Sequence, residues 1–139
     1  MPSGGIASAK GVEWFTNLTY LNFQNNQLTE LNVTNNTLLQ KLYCQQNKLT
    51  TLDVSKNTSL THLYCFQNLL AKLDVSDLAN LIYLDCNWNF LTSKKLIVSG
   101  SGLSDGSSQI PGTTFTYSSQ DGSSHGMPTR AFPASDVVW

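Results

Sequence analysis

Charge is scarce in this chain. Only 12% of its 139 residues are charged, and eight basic against nine acidic side chains leave a net charge of −1. That balance offers no basic footprint for a nucleic-acid backbone or an anionic membrane surface. Long apolar runs are also missing. None approaches the roughly 20 consecutive apolar residues that span a bilayer as a helix, so no membrane insertion is expected. The opening Met1-Pro-Ser-Gly-Gly has neither a basic n-region nor an apolar h-region, and no secretion signal is visible there. Cysteine is limited to three positions, and polarity comes mostly from Asn, Gln, Ser and Thr. The length suits one domain with a short appendage.

What is present is a repeat. From Asn17 to Gly100 a 21-residue unit is written four times, over 17–37, 38–58, 59–79 and 80–100. Leu18, Leu39, Leu60 and Leu81 align, as do Leu21, Leu42, Leu63 and Leu84. Phe23, Cys44, Cys65 and Cys86 form the next column, then Asn26, Asn47, Asn68 and Asn89, then Leu28, Leu49, Leu70 and Leu91. Leu31, Leu52 and Leu73 follow, with Val33, Val54 and Val75 behind them. A period between about 20 and 50 residues marks a solenoid whose units bury their apolar faces only by stacking. Residues 1–16 then read as a lead-in that closes the first coil, with Val12 in the Val33 column, Phe15 in the Asn36 column and Trp14 as a capping residue. The fourth unit carries a two-residue insertion, so that Leu96-Ile97-Val98-Ser99 takes the Leu-Asp-Val-Ser role.

The three cysteines share a position that takes Phe in the first unit, which makes it an apolar interior site. Free Cys behaves there as a small hydrophobe. Neighbouring coils lie ~4.8 Å apart with parallel side chains, so buried free thiols are expected, with one incidental bridge as the alternative. Around Leu-x-x-Leu-x-Cys the pattern alternates with a period of two, which predicts a strand and, on stacking, a parallel sheet. The Leu-Asp-Val-Ser segment predicts a shorter extended stretch on another side. Where the chain leaves the strand its inward N–H and C=O groups need partners, and an amide supplies both donors and acceptors. The Asn26, Asn47, Asn68 and Asn89 column is therefore read as scaffold, and Asn36 and Asn57 as a shorter ladder that ends at Leu78.

These columns resemble the leucine-rich repeat in the short 21-residue form of secreted and cell-surface bacterial proteins. Residues 6–17, Ile6-Ala-Ser-Ala-Lys-Gly-Val-Glu-Trp-Phe-Thr-Asn17, resemble the segment that leads into the first repeat of internalin-like proteins. The resemblance covers roughly the first 100 residues. It implies a β-rich solenoid, a right-handed coil with a parallel sheet on its concave side and little helix. It also implies an extracellular or cell-surface recognition scaffold with no cofactor and no chemistry. With that habitat, the chain reads as a mature protein or an excised fragment that starts after its signal.

Beyond Ser101 the composition turns to Ser, Gly, Thr and Pro. Residues 101–139 are read as a loose β-leaning tail able to fold over the last coil, with strand-like patterns at Thr113–Tyr117 and Val137–Trp139. Disorder and vector-derived residues are the alternatives. Gly102-Leu-Ser104-Asp-Gly106 and Gly122-Ser-Ser124-His-Gly126 match G-x-S-x-G, but that motif works only at a strand-to-helix turn of an α/β-hydrolase sheet, for which no chain is left. His62 points outward while the cysteines point in, which rules against a zinc site. Asp53 and Asp74 stack outward, flanked by Asn32 and Ile97, and read as a solvated row rather than a calcium site.

The outward side of the main sheet carries the functional expectation. Coil by coil it presents Tyr20, Asn22 and Gln24; Lys41, Tyr43 and Gln45; His62, Tyr64 and Phe66; then Tyr83, Asp85 and Asn87, with Trp88 beyond. Ladder spacing gathers Tyr20, Tyr43, His62, Tyr64, Phe66, Tyr83, Asp85 and Trp88 into one patch, and a contiguous aromatic patch with amide neighbours marks an interaction surface. The competing explanation is that cross-strand aromatic pairs only stabilise the sheet. Two functions follow: a module binding a protein or glycan through this face, or a self-assembling unit whose open strand edges join end to end.

Overall fold

The computed structural model describes residues 5–91, together with the backbone of two short strands at Leu96–Ile97 and Thr114–Thr116. The column Leu21, Leu42, Leu63 and Leu84 fixes its centre. Each of these leucines points inward from a three-residue strand: β1 (Tyr20–Asn22), β2 (Lys41–Tyr43), β3 (His62–Tyr64) and β5 (Tyr83–Asp85). The strands pair in parallel with Leu21 opposite Leu42, Leu42 opposite Leu63 and Leu63 opposite Leu84. Such 21-residue register is what the repeat demands, because a slip by one residue would turn every leucine to solvent. β7 (Thr114–Thr116) adds a further parallel strand along β5, with Phe115 opposite Leu84. There is no α-helix among the described residues.

The second extended side is smaller than the pattern predicts. Only β4 (Leu73–Asp74) and β6 (Leu96–Ile97) pair there, Leu73 with Leu96 and Asp74 with Ile97. That register is the one the two-residue insertion requires. In the first two coils the equivalent residues form no strand. An Asx turn follows in all three coils, with and without the strand: Asn32 Oδ1 accepts Thr34 N–H at 3.1 Å, Asp53 Oδ1 accepts Ser55 N–H at 3.0 Å and Asp74 Oδ1 accepts Ser76 N–H at 3.0 Å.

The core is the sum of the apolar columns. Leu28, Leu39, Leu42, Leu49, Leu60, Leu63, Leu70 and Leu84 are wholly buried. Cys44, Cys65 and Cys86 lie in the same continuous core as free thiols. Burial pushes the Cys44 thiol up to about 12, and Cys65 and Cys86 are raised for the same reason, so all three are protonated and unreactive at neutral pH.

The asparagine column stitches the coils together. Asn68 Oδ1 accepts Leu49 N–H at 3.0 Å, and its Nδ2 donates to the carbonyls of Cys44 and Cys65, each at 3.0 Å. Asn47 and Asn89 repeat the arrangement one coil away on either side. Backbone geometry beside them is also periodic: Asn25, Gln46, Gln67 and Trp88 all take the left-handed conformation, with φ of 52° to 56°. The shorter ladder is only half satisfied. Asn36 donates to the carbonyls of Val12 and Phe15, and Asn57 to those of Val33 and Asn36, but neither Oδ1 has a partner among the described residues.

The lead-in continues this scheme as half a coil. Phe15 N–H donates to Val12 carbonyl and Leu18 N–H to Phe15 carbonyl, which copies the turns at Val33–Asn36–Leu39 and Val54–Asn57–Leu60. Ile6 N–H donates to Asn26 Oδ1 at 2.8 Å, as Leu28 N–H does to Asn47. Val12 and Ala9 are the apolar side chains that close the core here. Trp14, expected to shield that end, is 78% exposed. It follows Val12 in a single 3-10 turn (Val12–Trp14), and that turn aims Val12 inward and carries Trp14 out.

Candidate functional site

The outward residues of β1, β2, β3 and β5 stand in two columns. Tyr20, Lys41, His62 and Tyr83 are register partners in one, and Asn22, Tyr43, Tyr64 and Asp85 in the other. The aromatic rings do not follow either column. Tyr20 meets Tyr43 at 5.4 Å between centroids with a 42° tilt, Tyr43 stacks on Tyr64 at 4.6 Å and 9°, and Tyr64 stacks on Tyr83 at 4.5 Å and 29°. The stack therefore begins in the first column, runs through the second and returns to the first. Diagonal neighbours across a parallel ladder are within reach of long aromatic side chains. Four tyrosines thus make one continuous ridge, with His62 against Tyr83 at 6.0 Å and 16°.

Stacking decides what the ridge can offer. Tyr43 and Tyr64 each have a ring on both sides, so their faces are spent on neighbouring rings and their edges remain for a partner. Burial, then the neighbouring tyrosines and Asp85, push the Tyr64 hydroxyl above its ordinary range, and burial followed by Asp85 does the same at Tyr83. Both are O–H donors at neutral pH. Asp85 is held by Asn87, whose N–H and Nδ2 both donate to Oδ1 at 3.2 and 2.9 Å.

His62 is held from its Nδ1 side. Thr61 Oγ1 donates to the Gln40 carbonyl at 3.0 Å and lies 3.0 Å from His62 Nδ1. The direction of the Thr61 hydroxyl sets the tautomer, and with Nδ1 engaged it is Nε2 that remains for a partner. Burial, then the positive charge of Lys41, lowers the His62 pKa, which keeps the ring neutral at pH 7.

The remaining residues of the predicted patch are present with one correction. Phe66 is half-buried and Trp88 is 49% exposed. Trp88 occupies a left-handed position that the other coils give to Asn or Gln, a conformation that costs a non-glycine residue ~1–2 kcal/mol. Gln45, expected outside, is buried: Nε2 turns along the column to donate to Gln24 Oε1 at 2.7 Å, and Phe66 stands in the same column on the next coil. Gln45 therefore lies beneath the patch, while its partner Gln24 stays exposed.

A concavity on another side escaped the sequence reading. It is an open depression of about 640 Å³ between the lead-in turn and the second halves of the first two coils, with Trp14, Glu13, Glu30 and Asp53 among its walls. A 21-residue offset places Gly11 in the column of Asn32 and Asp53, which is the one sequence sign that the lead-in shares this side of the coil. No group of three or more potential metal ligands occurs among the described residues. The two G-x-S-x-G matches, His125 and Val137–Trp139 lie outside the described residues.

No protein-family model and no curated protein matches the chain. Solved structures do. The functional domain of InlJ from Listeria monocytogenes, which includes a cysteine ladder, is 38% identical with a TM-score of 0.61 over 67% of this chain. The internalin InlF from the same organism superposes with the same TM-score over 68% of the chain at 24% identity, and supports the fold alone. This chain spans 22% of the InlJ structure and 32% of the InlF structure. The Cys44, Cys65 and Cys86 column is the counterpart in kind of the InlJ ladder. Repeat period, parallel sheet and these matches together identify an internalin-like leucine-rich repeat domain.

Proposed function

We propose that the domain is a recognition module that docks an extracellular protein through the tyrosine ridge of β1, β2, β3 and β5. One observation carries this reading: four tyrosine rings form an unbroken stack on the exposed side of a sheet whose other side is core. Rigid aromatics lose little conformational entropy on binding and are favoured at interface hot spots. Between a protein and a glycan, the stacking favours a protein. A sugar ring packs on an open aromatic face, and the faces of Tyr43 and Tyr64 are taken. A protein surface can use what is left, namely ring edges, phenolic hydroxyls, the His62 imidazole and the Asp85 carboxylate. Lys41 and Asp85 add mixed charge at the margin, which sets orientation more than affinity.

The likeness to internalins supports placing the protein at the surface of a bacterium or outside it. Self-assembly is the alternative reading, and it would join the two edge strands of the sheet, β1 and β7.

Arrays of cell-surface ectodomains and of glycans, probed with wild type and a Tyr64→Ala/Phe66→Ala double variant, test the proposal. Ectodomain binding that is lost in the double variant and retained in Lys56→Ala, exposed elsewhere on the coil, is the expected outcome. Circular dichroism confirms that both variants fold. Ectodomain binding that ignores the double change would remove the ridge as the site.

A further inference from the structure

We infer that the concavity at the N-terminal end of the solenoid is a second binding site, for a neutral or amino sugar, distinct from the tyrosine ridge. The two surfaces differ in the feature that matters for sugars. On the ridge the rings cover one another. Trp14 is 78% exposed, and no other aromatic ring stacks on it among the described residues. A Trp face is the largest aromatic platform a protein has, and the C–H groups of a pyranose pack on such a face while its hydroxyls need hydrogen-bonding partners at the rim.

Those partners are present. The cavity is lined by Glu13, Glu30 and Asp53, with Thr51 between them. Its volume of about 640 Å³ falls within the ~300–1,000 Å³ of small-ligand sites. Gly11, at φ 101°, turns the chain at the cavity wall, and a side chain there would be strained. The Gly11 N–H donates to Glu13 Oε2 at 2.9 Å, which fixes one carboxylate in place. Hydrogen bonds from Ser55 hold Asp53 below the usual carboxylate range, so it is charged at neutral pH. Lys10 stands 3.9 Å from Glu30, but both side chains are largely in water, and a pair of that kind is worth little and readily displaced.

Charge then selects among sugars. Three carboxylates face one ammonium group in this cavity, so a uronic acid or sialic acid is repelled. An uncharged sugar is admitted, and a protonated amino sugar gains attraction to the carboxylates and to the indole face.

The test uses the full chain and three named probes: a glucosamine tetrasaccharide, its fully N-acetylated counterpart and a galacturonic acid tetrasaccharide. Titrations by isothermal calorimetry, with the Trp14 indole N–H resonance followed alongside in wild type, should show binding of the first two and none of the third. Trp14→Ala should weaken both by at least tenfold, and because Trp14 is exposed the variant keeps its fold. Asp53→Asn should weaken the glucosamine probe and spare the acetylated one. Tyr64→Ala/Phe66→Ala should change neither, which separates this site from the ridge. Failure of both non-acidic probes to bind wild type, binding that survives Trp14→Ala, or equal binding of the acidic probe would each overturn the inference.

Discussion

Replacing Asn68 by alanine tests the stitching between coils, and its cost can be worked from the bonds it makes. The Asn68 Oδ1 is the partner of the buried Leu49 N–H, and an orphaned buried N–H costs ~1–3 kcal/mol. The carbonyls of Cys44 and Cys65 each lose one of two amide donors, since Asn47 and Asn89 still reach them. A lost bond with a surviving partner costs ~0.5–1.5 kcal/mol. Together these give ~2–6 kcal/mol, a large share of the ~5–15 kcal/mol that holds a domain folded. Asn57→Ala is the matched control. Asn57 is equally buried and also donates to two carbonyls, but its Oδ1 has no partner and each carbonyl keeps a backbone donor. Its loss should cost ~1–3 kcal/mol. Urea unfolding with an unchanged slope gives the difference from the midpoints, and amide exchange at Leu49 should accelerate only in Asn68→Ala. Equal midpoints, or a larger loss for Asn57→Ala, would refute the reasoning.

Other consequences follow from the same structure. Leu63→Ala, wholly buried in mid-stack, should cost ~2–5 kcal/mol and far exceed Leu18→Ala at the partly buried first coil; denaturation midpoints compare them. The thiols predict an alkaline transition. Folded Cys44 and Cys86 titrate well above the ordinary value of 9.0, so above pH 9 the unfolded chain releases protons that the folded chain keeps. Stability is thus full below pH 9 and falls as pH rises, at up to ~1.4 kcal/mol per pH unit for each thiol. A Cys44→Val/Cys65→Val/Cys86→Val variant should have a shallower decline in melting temperature between pH 9 and 11. His62 has the opposite sign: its lowered pKa favours the folded state above about pH 6.5, and that contribution is lost on acidification. His62→Gln should be less sensitive to pH between 7 and 5 in the same melting assay.

The solenoid was legible because stacking subjects each position to its counterparts on neighbouring coils. A column that takes only Leu, or only Cys and Phe, states its environment once per coil, and the burial of Leu42, Cys44, Leu63 and Cys65 follows. Even the two-residue insertion could be read, since Leu73 had to find Leu96. The ridge was legible in membership but not in path. Columns predict which residues share a face, whereas the crossing from Tyr20 to Tyr43 depends on side-chain reach between columns. Gln45 was misplaced because alternation assigns direction, and a long amide can turn back along its column. The cavity under Trp14 was hidden because the lead-in shares the turns of the repeat but little of its sequence.

Hydroxyl-radical footprinting of the free chain and of its complex with the strongest ectodomain hit addresses the central claim most directly. Protection concentrated on Tyr20, Tyr43, Tyr64, Tyr83 and Trp88, with Trp14 reacting as before, is the result this account predicts. Protection of Trp14 or of the Asp53 side, with the tyrosine ridge fully reactive in the complex, would contradict it.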